Sequence, residues 1–138
     1  MAEIHAEKIN YLYSTDETDK PIARYGISSF PVSNNFILQS LLFDFEIDKT
    51  YQIVISIRNS ENISIVETKN IYKLDKTTLN DISFTNKEHT RASTVIKIHT
   101  PIVNIVAEDI YEFTLSVNDS NDINLDTKKT YAAIQQDN

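Results

Sequence analysis

The chain has 138 residues, no cysteine and a formal net charge of −7. That length is enough for one domain to bury an ordinary core without crosslinks, and the missing thiols exclude a disulfide framework, a zinc ribbon, an iron-sulfur site and a thiol nucleophile. The acidic balance opposes phosphate backbones, so no direct nucleic-acid partner is expected.

The first residues, Met1 to Glu7, lack the basic and apolar regions of a secretory signal, and no apolar run approaches the ~20 residues of a membrane helix. The expectation is a soluble cytoplasmic protein with no membrane contact. Isoleucine dominates the apolar content, with 20 Ile against 8 Leu and 7 Val, and there are 13 Thr. Such β-branched residues fit a pleated, half-buried surface and lose rotamer freedom in helices, which points to an all-β protein.

In chain order, the first strand candidate covers residues 3–13, with Ile9, Tyr11 and Tyr13 on one side, and ends in a polar loop at 14–20. Residues 21–32 are extended but interrupted, holding two of the three prolines and the only glycine, Gly26. Proline favours an edge or a sheet crossing there. Residues 41–58 then show apolar side chains at every second position on both sides of the break Asp48-Lys49-Thr50. This reads as a β-hairpin with Leu41, Phe43, Phe45 and Ile47 on one face and Tyr51, Ile53, Ile55 and Ile57 on the matching face.

A turn at 59–62 leads into a further strand at 63–68, completing a three-stranded meander. Between 69 and 92 the apolar islands 71–74 and 82–84 interrupt a basic stretch. They are compatible with short strands or with one helical turn at 78–82 in a crossover between sheets. Residues 94–106 offer a strand with Ile96 and Ile98 inward and Lys97 and His99 outward, bent at Pro101. The last hairpin pairs 110–117 with 123–134 around the loop 118–122, and 135–138 read as a frayed tail. The fold expected is a single antiparallel β-sandwich of seven to nine strands, immunoglobulin-like or C2-like, over residues 1–134. With one glycine, positions of positive φ fall to Asn and Asp.

Gly26 alone cannot write a P-loop, a dinucleotide fingerprint or a nucleophile elbow. His5, His89 and His99 share no ligand spacing, and no cofactor or metal is expected. The loop 118–122 with Asp126 invites comparison with calcium loops, but it lacks the glycine and glutamate of an EF-hand and reads as turn residues. Asp44 and Glu46 read as a solubilising row on a strand, not as a catalytic pair. The sites Asn62-Ile63-Ser64 and Asn118-Asp119-Ser120 match the glycosylation pattern and read as turn asparagines. Catalytic residues are therefore expected to be absent, and the chain is expected not to be an enzyme.

The segment Glu108-Asp109-Ile110-Tyr111-Glu112-Phe113-Thr114-Leu115-Ser116-Val117 resembles the penultimate strand of immunoglobulin-like sandwiches. The resemblance implies Tyr111 at the tyrosine corner and Phe113 at the core position that antibody domains give to cysteine. The family's Trp and both Cys are missing. In strand order the chain also looks like small bacterial or phage β-sandwich proteins of unassigned function, a resemblance that implies architecture alone.

The function expected is a non-catalytic protein-protein binding module, with Lys87, His89 and Arg91 in a polar loop and Tyr25 and Phe30 near an exposed edge as candidate contact residues. Two alternatives stand beside it. One is an acidic inhibitor using residues 108–126, which hold six acids and no base, to occupy a basic site on a nucleic-acid enzyme. The other is a structural subunit, a homo-oligomer included, assembling through sheet edges such as 21–32.

Overall fold

The computed structural model describes residues 6–75, 84–88 and 90–137. Eleven strands and no helix lie among them, so the all-β expectation holds with more strands than foreseen. The strands are β1 (Lys8–Thr15), β2 (Arg24–Ile27), β3 (Val32–Asn34), β4 (Ile37–Glu46), β5 (Thr50–Arg58) and β6 (Ser64–Lys73). There follow β7 (Phe84–Thr85), β8 (Arg91–His99), β9 (Val103–Ile105), β10 (Asp109–Asp119) and β11 (Asn124–Gln136). They form a four-stranded sheet in the order β1-β4-β8-β7, a five-stranded sheet in the order β2-β11-β10-β5-β6, and a small β3-β9 pair. Pairing is antiparallel except at the edge, where β2 runs parallel to β11.

The core lies between the two large sheets. From β5 come Tyr51, Ile53, Ile55 and Ile57, and from β10 Tyr111, Phe113, Leu115 and Val117, all buried. Facing them, β4 and the residue before it contribute Phe36, Leu38, Leu42 and Phe45. Phe36 meets Phe113 edge to face with ring centroids 5.1 Å apart, an arrangement that aligns the positive ring edge with the negative ring face. The inward faces of β5 and β10 are those the two-residue period predicts.

Three sequence expectations are corrected. Residues 41–58 do not form a hairpin, because β4 and β5 belong to opposite sheets. The turn between them crosses the core: Asp48 takes φ 69°, the Ile47 amide donates to the Thr90 carbonyl at 2.8 Å, and the Asp48 amide donates to the Leu74 carbonyl at 2.7 Å. An alternating pattern states which face is buried, and two strands facing each other across a core satisfy it as well as two strands side by side. The meander therefore reduces to the true hairpin of β5 and β6.

The second correction concerns the phase of β4. Asp44 sits at φ 62° where the ladder with β8 slips between Leu42 and Phe45. Such a bulge inserts one residue and flips the alternation. Leu38 and Leu42 point inward before it and Phe45 after it, while Phe43 is 45% exposed and Leu41 is half-buried. In β1, the third correction, a slip between Ile9 and Tyr11 acts the same way. Ile9 and Leu12 are core residues, and Tyr11 stacks on Tyr13 on the other face.

The final hairpin is as expected, although β11 runs beyond Ile134, with Gln135 and Gln136 paired to Gly26 and Ile27 where a frayed tail was expected. Ile96 and Ile98 pack against the core from β8, with Lys97 and His99 exposed. The island 71–74 is the end of β6 and the residue after it, Phe84 begins β7, and the turn considered at 78–82 lies outside the described residues. Non-glycine residues of positive φ are Asp19, Asp44, Asp48, Asn62 and Asp122, the residue types that tolerate this region best after glycine. No helix of the described residues is long and apolar enough to cross a membrane.

Candidate functional site

One end of the sandwich gathers charge from three distant parts of the chain. Glu7 precedes β1, Asp44 and Glu46 end β4, Lys49 lies in the crossing turn, and Arg91 opens β8. The Arg91 guanidinium reaches Asp44 Oδ1 at 3.1 Å, Glu46 Oε1 at 3.3 Å and Glu7 Oε1 at 3.6 Å. It also donates to the Asp44 carbonyl at 2.5 Å. Lys49 Nζ lies 3.5 Å from both Glu7 and Glu46. Three carboxylates thus share two cations, with Arg91 as the hub, and the row Asp44 and Glu46 is an ion-pair layer.

Glu7 is buried, and the Tyr51 hydroxyl donates to its Oε2 at 2.9 Å while accepting the Glu46 amide at 2.8 Å. Burial pushes the Glu7 carboxyl up, but the backbone hydrogen bond, the Tyr51 hydroxyl and the charges of Lys49 and Arg91 together outweigh it. Its pKa therefore lies below the ordinary 4.5, and the group is an anion at neutral pH. Burial, reinforced by the Glu7 and Glu46 carboxylates, holds the Tyr51 phenol far above its usual range, so it serves as a hydrogen-bond donor and not as a base. The ionised Glu7, the protonated Tyr51 phenol and the two cations are thus all engaged with one another. The arrangement locks loops together.

Beside this layer, the turn between β7 and β8 is set by Asn86. Its Oδ1 accepts the amides of Thr90 at 2.9 Å and Arg91 at 3.1 Å, and its Nδ2 donates to Thr90 Oγ1 at 3.0 Å. Lys87 and Glu88 project from it into solvent. Of the expected contact residues, Lys87 is exposed on a preorganised turn, Arg91 is committed to the ion-pair layer beneath it, and His89 lies outside the described residues. Tyr25 and Phe30 are half-buried and pack against the core, Tyr25 edge to face on Phe36 at 5.1 Å.

The side of the sandwich between β6 and β8 is open. A cavity of about 410 Å³ is lined by Ile53 and Ile55 on one sheet, Ile96 and Ile98 on the other, and Tyr72 and Asn70 at the rim. Lys97 and His99 flank it. Sequence reading placed these isoleucines inward but had no means of showing that the two sheets part here, because the gap depends on which strands are neighbours.

The six acids of residues 108–126 do not form a row. Glu108 and Asp109 sit at one end of β10, where they accept the amides of Gln136 at 2.7 Å and Ile110 at 2.7 Å. Asp119 and Asp122 lie at the other end, Asp119 Oδ1 accepting the amides of Asn121 and Ile123 within its own turn. Asp126 Oδ2 accepts the Ile9 amide at 2.7 Å, tying β1 to β11 across the sheets, and Glu112 faces Lys129 at 3.4 Å. No group of three or more His, Cys, Asp or Glu placed to hold a metal ion occurs among the described residues.

Fold and site together define an all-β sandwich domain whose charged end is an ion-paired, hydrogen-bonded layer. No protein-family model matches the chain, and no curated protein matches its sequence. Its fold is similar to part of a β-glucuronidase of Bacteroides uniformis, with 9% identity and a TM-score of 0.64 over 94% of this chain and 14% of that one. It is also similar to a bacterial adhesin of Mobiluncus mulieris that contains intramolecular disulfide, isopeptide and ester crosslinks, with 7% identity and a TM-score of 0.63. That likeness covers 95% of this chain and 58% of the adhesin. The chain thus spans a minor part of the glucuronidase and little more than half of the adhesin, and the likeness is one of fold.

Proposed function

We propose that this chain is a non-catalytic protein-binding module built on an immunoglobulin-like sandwich. Support comes from the sheet order β1-β4-β8-β7 and from the run β11-β10-β5 within the second sheet, which parallel the A-B-E-D and G-F-C arrangement of that family, and from the burial of Tyr111 and Phe113. The observation that carries the functional reading is the contrast between the two ends of the site. Charged groups near Arg91 are spent on one another, whereas the open side presents Ile96, Ile98 and Tyr72 around a cavity next to Lys97. A surface of this kind, apolar with a few polar groups at its margin, supplies contact area. The similar folds lie within longer chains, as suits a module.

The test is affinity capture from the native extract at low and high salt with three proteins: wild type, Lys87→Glu and Ile98→Asp. Loss of a retained protein with Lys87→Glu at low salt assigns contact to the β7–β8 turn, since exposed charges are screened as salt rises. Its loss with Ile98→Asp at both salts assigns contact to the open side. A retained set that is identical for all three proteins overturns the reading.

A further inference from the structure

Strand β6 pairs with β5 along one edge, and its other edge pairs with no strand among the described residues. It is ten residues long and regular from Val66 to Lys73. Natural edge strands are usually short, bulged or guarded by charged side chains, Lys above all; β6 is bulged only at its start and mixes Glu67 with Lys69 and Lys73, so a copy of the same edge meets complementary charge instead of repulsion. The β5 register places Val66, Thr68, Asn70 and Tyr72 opposite Ile57, Ile55, Ile53 and Tyr51, hence on the inner face, and leaves Glu67, Lys69, Ile71 and Lys73 on the outer one. Ile71 is 78% exposed there.

The outer-face charges are self-complementary. Two copies related by a two-fold axis at Thr68 bring each Glu67 opposite the partner's Lys69, giving two cross-strand ion pairs, with Thr68 facing the partner's Thr68. Opposite charges and Thr-Thr pairs both favour directly facing positions. An axis at Lys69 instead sets lysine against lysine, and an axis at Asn70 pairs Glu67 with Lys73 but sets Lys69 against Ile71, whereas the axis at Thr68 leaves neither Glu67 nor Lys69 without an opposite charge. Lys69 also reaches Asp122 at 3.3 Å, and an ammonium with three N–H donors can serve both carboxylates.

We propose that β6 is a homodimerisation edge, through which two copies of this chain join antiparallel about Thr68 into one continuous sheet of ten strands, five from each copy. The proposal deepens the reading of the chain as a contact module by naming the partner at one surface. Because it is measured on purified protein, its failure is separate from failure to capture a partner from extract. One strand per copy makes a small interface, so dimerisation is expected to be concentration-dependent.

The cysteine-free chain permits a direct test. Facing residues of an antiparallel pair have Cα atoms about 4.5–5.5 Å apart, inside the range a disulfide spans. Purified Thr68→Cys, oxidised in air, is expected to run at twice the monomer mass without reductant, whereas Asn70→Cys remains a monomer. Light scattering of the wild type is expected to show the mass doubling with concentration, Glu67→Lys to abolish it, and Glu67→Lys with Lys69→Glu to restore it. A wild type that stays monomeric, or equal crosslinking at positions 68 and 70, overturns the proposal.

Discussion

Replacing Glu7 by Gln tests whether the charged layer holds the sandwich together. The amide keeps an acceptor for the Tyr51 hydroxyl but leaves Arg91 and Lys49 with one carboxylate fewer. Removing one partner of a fully buried pair costs about 3–5 kcal/mol, because it strands a desolvated charge. Here Arg91 and Lys49 are 23% and 36% exposed and Arg91 keeps Asp44 and Glu46, so solvent screening lowers the expectation to roughly 1–2 kcal/mol. At this chain length that is about 4–8 °C in Tm.

The pH dependence follows from the sign of the shift. A carboxyl held below its ordinary 4.5 in the folded protein stabilises that state above 4.5, and the contribution disappears as pH falls through the folded value. Urea denaturation should therefore separate wild type from Glu7→Gln at neutral pH and bring them together in acid. With Glu7→Ala, which removes the acceptor, and Tyr51→Phe as second variant, a double-mutant cycle should show coupling of roughly 0.5–2 kcal/mol, since the two groups share a hydrogen bond. Equal stability of wild type and Glu7→Gln at neutral pH, or a gap that widens on acidification, would refute the argument.

Two further outcomes test the backbone. Leu42→Ser should cost roughly 3–5 kcal/mol in urea denaturation, because Leu42 is fully buried, whereas Phe43→Ser one position later should cost under about 1 kcal/mol. At Asn62, where φ is 62°, Asn62→Val should lower stability by about 1–2 kcal/mol through the Cβ clash of the left-handed region and Asn62→Gly should not, as thermal unfolding would read.

Faces were legible wherever pairing is unbroken. Tyr51, Ile53, Ile55 and Ile57 in β5 and Tyr111, Phe113, Leu115 and Val117 in β10 keep one phase without a bulge, and all eight are buried. Neighbours were not legible, since the same alternation suits a hairpin and a crossing between sheets. The decision falls to hydrogen bonds from Ile47 and Asp48 to Thr90 and Leu74, which are far away in sequence. The Arg91 site was out of reach for the same reason: only the fold brings Glu7, Asp44, Glu46 and Lys49 around one guanidinium.

One signal was nonetheless present. The adjacent pair Leu41-Leu42 offers two apolar phases, and Asp44, a residue that accepts positive φ, stands where the strand must choose between them. The choice is tied to the site. Turning the chain at Asp44 lets its amide donate to Ser93 Oγ at 2.9 Å, and its carbonyl and carboxylate both engage Arg91. The residue that spoils the strand pattern is thus the one that joins β4 to the charged layer. A local rule broken at one residue marks the place where long-range contacts hold the strand in a conformation its own pattern does not favour.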